Sequence, residues 1–258
     1  MEGNEINKNC PKSFYEKYFD IGSPLLIKQM EASQDLSIGE MFKVDHPELP
    51  HPIWLRAGTS DIWVFDQIFL YKELEFQIDD ALNYVIDAGA NIGLASIYLA
   101  KRFPHAQIIA LEVDKENYNV LMKNIEPYNR IKSVYKGLWH REANLIIDNP
   151  NDYSWAFTVS ETEDDTKDYL KGISIATLIK EYNWPHIDLL KMDIEGGELM
   201  VLSLGTDAWV QKVKTIAVEV HYSHEGCWET FCEFKEKYHF ELSWAGEYAI
   251  LRKDDKSN

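Results

Sequence analysis

Cysteine is scarce: Cys10, Cys227 and Cys232 are the three in 258 residues. They are too few and too irregularly spaced for a disulfide framework, which points to a reducing compartment. Long apolar runs are missing too, and every one falls far short of the roughly 20 residues that span a bilayer. The opening stretch, MEGNEINKNCPKSFYEKYFD, holds no apolar segment of the kind a secretory signal needs. A cytoplasmic location is the expectation. Positive charge is in deficit, with 26 Lys and Arg against 43 Asp and Glu and a net charge of −17. Such a chain repels phosphate backbones, and no basic stripe offsets the repulsion. Nucleic acid and membrane surfaces are therefore not expected partners.

What is present is enough for a folded core: 45% of residues are hydrophobic and 13% aromatic. Residues 1–50 are polar and patchily amphipathic, with short helical candidates at Phe14–Phe19 and Leu25–Glu31. Pro47, Pro50 and Pro52 punctuate a loop, because each fixes φ and lacks a backbone donor. A short strand at Ile53–Arg56 follows, and Ser60 is a good N-cap for a helix over Asp61–Leu74. From Tyr84 onward, short apolar runs alternate with amphipathic stretches, and the end reads as a hairpin over Phe240–Trp244 and Tyr248–Arg252. This alternation predicts an α/β fold with a mostly parallel sheet covered on both faces. The domains expected are residues 1–80, a helical extension or cap, and residues 81–258, the ligand-binding domain. The acidic run Glu161–Asp168 reads as a solvated surface loop.

One segment carries the functional reading. Val85-Ile-Asp87-Ala-Gly89-Ala-Asn91-Ile-Gly93 lies where the first strand of the alternating region turns into its first helix. Gly89 and Gly93 allow a tight turn and a close backbone approach to a ligand. Ligands of open parallel sheets bind at the carboxyl ends of the strands. Glu112 ends the next strand, Ile108–Glu112, where a carboxylate can accept hydrogen bonds from both hydroxyls of a ribose. A dinucleotide site would place pyrophosphate beneath G-x-G-x-x-G. Here the spacing is G-x-x-x-G, preceded by Asp87, whose charge repels pyrophosphate and suits an amine or a sulfonium. S-adenosylmethionine is favoured over NAD.

These residues resemble the FkbM family of S-adenosylmethionine-dependent methyltransferases. A second resemblance is Leu189-Leu-Lys191-Met-Asp193-Ile-Glu195-Gly196-Gly197-Glu198, similar to that family's hallmark after the fourth strand. Arg56-Ala-Gly58-Thr-Ser60-Asp61 and Val218-Glu219-Val-His221 match more loosely. One departure is Val113, where family members usually carry proline after the acid; this should alter the loop and leave the carboxylate in place. The resemblance implies a class I methyltransferase (Rossmann-like) fold of seven strands. It also implies methyl transfer to a hydroxyl of a small glycan, polyketide or other metabolite.

The cofactor residues expected are Asp87, Gly89, Asn91, Gly93, Glu112 and Asp193, with Ser60 added by the resemblance upstream. A hydroxyl is a poor nucleophile at neutral pH, so a base within reach is expected. Asp193, Glu195 and His221 are the catalytic candidates, and Glu219 is a further strand-end acid. The acids Asp193, Glu195 and Glu198 have another reading, as first-turn residues favoured by a helix dipole. Lys191 is expected in or beside the sheet as their counter-charge. Arg56 is either a surface charge or a partner of the cofactor's carboxylate. Tyr153 and Trp155 either stack on a sugar ring or pack in the core. His221, His224, Cys227 and Cys232 imitate a zinc series, but two cysteines five positions apart on one helix point about 140° away from each other. Asp193, Glu195 and Glu219 offer hard oxygens to a divalent ion, but no dedicated ligand spacing is present, so no metal site is expected. Other readings are a catalytically silent cofactor-binding or assembly protein, and N- or carboxyl-methylation by the same fold.

Overall fold

The computed structural model describes residues 36–78, 81–148, 159–164, 169–222 and 224–253. The two early helical candidates, Cys10, Tyr153 and Trp155 lie outside the described residues. The chain divides into two units, Met1–Asp66 and Gln67–Asn258.

In the first unit, β1 (Met41–Val44) pairs antiparallel with β2 (Ile53–Arg56), and Val44, Ile53 and Leu55 are fully buried. A short helix, α1 (Asp61–Phe65), follows. Ser60 occupies its N-cap position, but its hydroxyl makes no cap hydrogen bond. Asp61 is engaged instead by Arg56, which donates from Nε (2.9 Å), Nη2 (2.7 Å) and its backbone N (2.8 Å). Arg56 is therefore not the surface charge that one reading of the sequence offered; it is buried and fixes the strand-to-helix corner. The helix expected through Leu74 is shorter: beyond Phe65 the backbone loosens into a π-helical turn, Asp66–Leu70, and Lys72 at φ 55° ends the path.

The second unit begins its alternation with β3 (Tyr84–Ala88), α2 (Leu94–Arg102), β4 (Gln107–Leu111), α3 (Lys115–Ile125) and β5 (Ile131–Val134). Four short strands come next: β6 (Gly137–Leu138), β7 (Asn144–Ile147), β8 (Val159–Glu161) and β9 (Leu170–Ile173). The chain then returns through α4 (Ile175–Glu181), β10 (Ile187–Met192), α5 (Glu198–Ser203), β11 (Val213–Glu219), α6 (Cys227–Lys237), β12 (Phe240–Ala245) and β13 (Tyr248–Lys253).

The seven-stranded sheet has the order β12-β13-β11-β10-β3-β4-β5. β13 runs antiparallel to both its neighbours, and the remaining pairings are parallel. This is the class I methyltransferase arrangement, as the resemblance implied. Every residue of β10 is buried, as a central strand covered on both faces requires. Ile86, Leu190, Met192, Ile216 and Val218 form its core with the packed helices.

β6 to β9 form a separate sheet in the order β6-β9-β7-β8. β7 belongs to this sheet and not to the main one. Glu161 is a further correction to the solvated-loop reading: it lies on β8, accepts from Trp139 Nε1 at 2.7 Å and is paired with Arg141. Among the described residues no helix is long and apolar enough to cross a membrane.

Candidate active site

The strand order reverses between β3 and β10: the chain proceeds outward from β3 through β4 to β5, then returns beside β3 to build the other half. A crevice at the carboxyl ends of the strands is the place where such sheets take ligands. Asp87 is the penultimate residue of β3 and Asp193 follows β10, so both fall at this point.

The glycine loop is shaped by close approach. Gly89 has φ 72°, and a Cβ there would stand 1.7 Å from the backbone oxygen of Asp193. Any side chain would separate the two strand ends. Asn91 also takes a left-handed conformation (φ 50°), and its backbone N–H donates to Glu112 Oε2 at 2.7 Å. At Gly93 (φ 89°) a Cβ would meet Leu121 Cδ1 at 2.5 Å, so the start of α2 packs directly on α3.

Glu112 is buried, and its Oε1 accepts from Val113 N (3.0 Å) and Asp114 N (2.8 Å). A proline at position 113 could not make the first of these bonds, so the departure from the family pattern strengthens the hold on the carboxylate. Burial outweighs the three amide donors and pushes its pKa up to about 7. Two carboxylate oxygens offer about four acceptor sites, and three are used. A buried acid held by amide donors fits the hydroxyls of a ribose, so this chain's residues suit S-adenosylmethionine.

Asp87 does not present a bare charge to a ligand. It is fully buried, its Oδ2 accepts from Ser96 Oγ at 2.7 Å, and Oδ1 lies 3.2 Å from Lys191 Nζ. Lys191 also donates to Gly89 O at 2.9 Å and stands 3.5 Å from Asp193 Oδ2. The expected counter-charge is thus a bridge between the cofactor loop and the turn after β10. The neighbouring carboxylates hold its pKa above the ordinary lysine range despite burial.

The turn after β10 is built by Glu198. Its Oε1 accepts from Ile194 N (2.9 Å) and its Oε2 from Gly196 N (2.8 Å). Of the three acids read as first-turn residues, Glu198 alone stands in the first turn of α5; Asp193 and Glu195 precede the helix. Glu195 at φ 52° and Gly196 at φ 88° make the reversal.

His221 follows β11 and faces four carboxylates: Glu198 Oε1 at 3.1 Å, Glu195 Oε2 at 3.3 Å, and Asp193 Oδ1 and Glu219 Oε1 at 3.9 Å. Against a desolvation penalty, hydrogen bonds and charge attraction from Glu195 and Glu198 raise its pKa to about 11. This shift favours the imidazolium, the form that pairs with the surrounding carboxylates. Glu219 is raised to about 8, chiefly by burial and then by the charge of Asp193. Glu73 is raised to about 7 by burial and by Glu247 and Asp193.

Sequence reasoning missed Tyr248, whose hydroxyl donates to Asp193 Oδ2 at 3.4 Å, and Glu73 beyond the helical turn. Their sequence surroundings are those of an ordinary hairpin and an ordinary loop. Ser60 belongs to the other unit.

Among the described residues, the convergent set of metal-type ligands is Asp193, Glu219 and His221, with atoms within 4.8 Å of one another. Neither cysteine joins it; Cys227 and Cys232 are free thiols on α6.

Residues 87–242, more than half of the chain, match the Methyltransferase FkbM domain. The chain is 26% identical over 210 residues to Methyltransferase sdnD of Sordaria araneosa, covering 65% of this chain and 81% of that protein. It is 24% identical over 182 residues to Methyltransferase 1 of Beauveria bassiana (strain ARSEF 2860), covering 61% and 72%. The crystal structure of methyltransferase FkbM from Methylobacillus flagellatus KT superposes with a TM-score of 0.49 at 16% identity, covering 72% of this chain and 47% of that one. The sheet order, the glycine loop with its buried acid and the domain match agree: this chain belongs to the FkbM methyltransferase family.

Proposed function

We propose that the protein transfers a methyl group to a hydroxyl of a small-molecule acceptor, a glycan or another hydroxylated metabolite. S-adenosylmethionine supplies the methyl as a sulfonium, an electrophile attacked in line from the side opposite the leaving sulfur. The chemistry lies in residues 81–258. The observation that carries this reading is the place of Asp193 at the strand-order reversal, beside the glycine loop and within a wall of acids.

The chain's own residues then divide the work. Glu112 accepts a ribose hydroxyl at the acceptor site its three amide donors leave, and Gly89, Asn91 and Gly93 bring the backbone close enough to shape the cofactor loop. Asp193 Oδ1 accepts the hydrogen bond of the acceptor hydroxyl and takes its proton as the oxygen attacks. The His221 imidazolium gathers Glu195, Glu198 and Asp193 and keeps their charges from driving the turn apart. Holding the acceptor oxygen in line supplies much of the rate.

The acids also discriminate. A carboxylate acceptor would enter a site that holds Asp193 and Glu195 and be repelled by their charges, which disfavours carboxyl methylation. A neutral hydroxyl meets acceptors suited to it. The test is methyl transfer from labelled S-adenosylmethionine onto a panel of sugars, polyols, amines and carboxylic acids. Label in the hydroxylated acceptors is expected. Transfer confined to amines or acids would overturn the hydroxyl assignment, and cofactor binding without transfer to any extract fraction would favour a silent binding protein.

A further inference from the structure

We infer that Tyr248 is a positioning residue for Asp193, fixing Oδ2 so that Oδ1 is the oxygen offered to the acceptor. This rests on the hydroxyl-transfer reading above and assigns the orientation of its base. β13 pairs antiparallel with β11, and Tyr248 stands opposite Glu219 in that register. The pairing carries the phenol from the far end of the sequence to the mouth of the site. The side chain is 6% exposed, and among the described residues its hydroxyl bonds to Asp193 Oδ2.

Two donors converge on that one oxygen. Tyr248 Oη lies 3.4 Å from Asp193 Oδ2, and Lys191 Nζ lies 3.5 Å from it. Oδ1 faces His221 Nε2 at 3.9 Å, beyond hydrogen-bonding distance. Two partners on Oδ2 and none within hydrogen-bonding distance on Oδ1 among these contacts bias the carboxylate toward the rotamer that leaves Oδ1 for the acceptor. Both contacts are long for charge-assisted bonds, so the orientation rests on the two acting together.

The residue type fits this role. Phenylalanine would fill the same space, and a buried hydroxyl is costly unless it is bonded. Burial and the nearby carboxylates of Asp193, Glu219, Asp87 and Glu73 hold the phenol pKa well above its usual value. It therefore remains a donor throughout the working pH range.

The experiment compares crystal structures of the wild type, Tyr248→Phe and a form carrying p-aminophenylalanine at position 248, each soaked with S-adenosylhomocysteine. In Tyr248→Phe the Asp193 carboxylate is expected to rotate or adopt several rotamers while the turn backbone stays in place. The amino analogue, which restores a donor, should return it to one orientation even if Tyr248→Phe fails to fold. An unmoved Asp193 carboxylate in Tyr248→Phe, or disorder in the amino form, overturns the inference.

Kinetics on the acceptor found in the panel adds a second readout. In Tyr248→Phe, kcat should fall about tenfold, the scale of one hydrogen bond to a charged group, with little change in KM. In an Asp193→Asn background the same substitution should cost almost nothing. Equal losses in both backgrounds mean that Tyr248 acts elsewhere. If Asp193→Asn alone keeps full turnover, the base assignment fails independently of where Tyr248 holds the side chain.

Discussion

Lys191 on β10 and Asp87 on β3 stand opposite each other in neighbouring parallel strands, and the ammonium approaches the carboxylate at 3.2 Å with both side chains buried. The same ammonium holds Gly89 O, so one residue ties the glycine loop to the turn after β10. Lys191→Met should leave Asp87 buried without its counter-charge and cost about 3–5 kcal/mol, the usual consequence of breaking such a pair from one side. Denaturant unfolding measures this directly. A loss below about 1 kcal/mol would mean that water or the remaining partner, Ser96, satisfies Asp87 instead.

Glu112 gives a pH signature with a definite sign. Its folded pKa of about 7 lies above the ordinary value of 4.5, so the folded ligand-free protein favours the protonated carboxyl. The stability this contributes is full below about pH 4.5 and is lost as pH rises through about 7. Glu112→Gln should flatten that part of the melting-temperature profile. Ribose hydroxyls bond best to the ionised form, so S-adenosylhomocysteine should bind more tightly from pH 6 to 8 and release a proton on binding. Calorimetry in buffers of different ionisation enthalpy checks this. Glu112→Ala should weaken binding by about 1.5–3 kcal/mol.

Asp193→Asn keeps the shape of the side chain but cannot take a proton. Cofactor affinity should stay near wild type while turnover falls roughly 10²-fold or more. A variant that melts lower yet keeps its turnover per folded molecule would make Asp193 a structural acid.

His221→Gln separates charge from proton transfer. The histidine is raised from 6.5 to about 11, so its contribution to stability is full below about pH 6.5 and is lost as pH rises through about 11. The variant should melt lower than wild type at pH 7, with the difference shrinking above pH 11. A loss of turnover without loss of stability would instead make His221 part of the proton path.

The glycine loop can be tested by contrast. Gly89→Ala meets both a left-handed backbone and the Asp193 carbonyl at 1.7 Å, so it should abolish cofactor binding and lower stability sharply. Gly39→Ala has a similar φ of 83° with nothing within 4 Å, and should cost only the backbone strain, about 1–3 kcal/mol. Equal effects at the two sites would mean that the close approach at Gly89 is relieved by a shift of the turn.

The features legible in the sequence obey local rules. The apolar runs located β2 at Ile53–Arg56 and the closing hairpin of β12 and β13 to within a residue at each end, because side-chain spacing depends only on the element's own geometry. The pairing of Gly89 and Gly93 with Glu112 was visible for the same reason, since a tight strand-to-helix turn needs glycine wherever it occurs. The family resemblance supplied the turn from Asp193 to Glu198. β6 and β9 were missed because Gly137-Leu138 and the Gly172 region lack the β-branched alternation that marks a strand, and cross-sheet pairing stabilises them instead. Which charges meet was decided by tertiary structure alone. Strand order places Lys191 against Asp87, the β11–β13 register brings Tyr248 to Asp193, and the turn geometry surrounds His221 with four acids. These are contacts between distant parts of the chain, and burial and neighbouring charge then set protonation. A residue list cannot reveal that His221 is a cation and Glu112 a carboxyl poised near neutrality, because both depend on how much water and how much opposite charge the fold leaves around them.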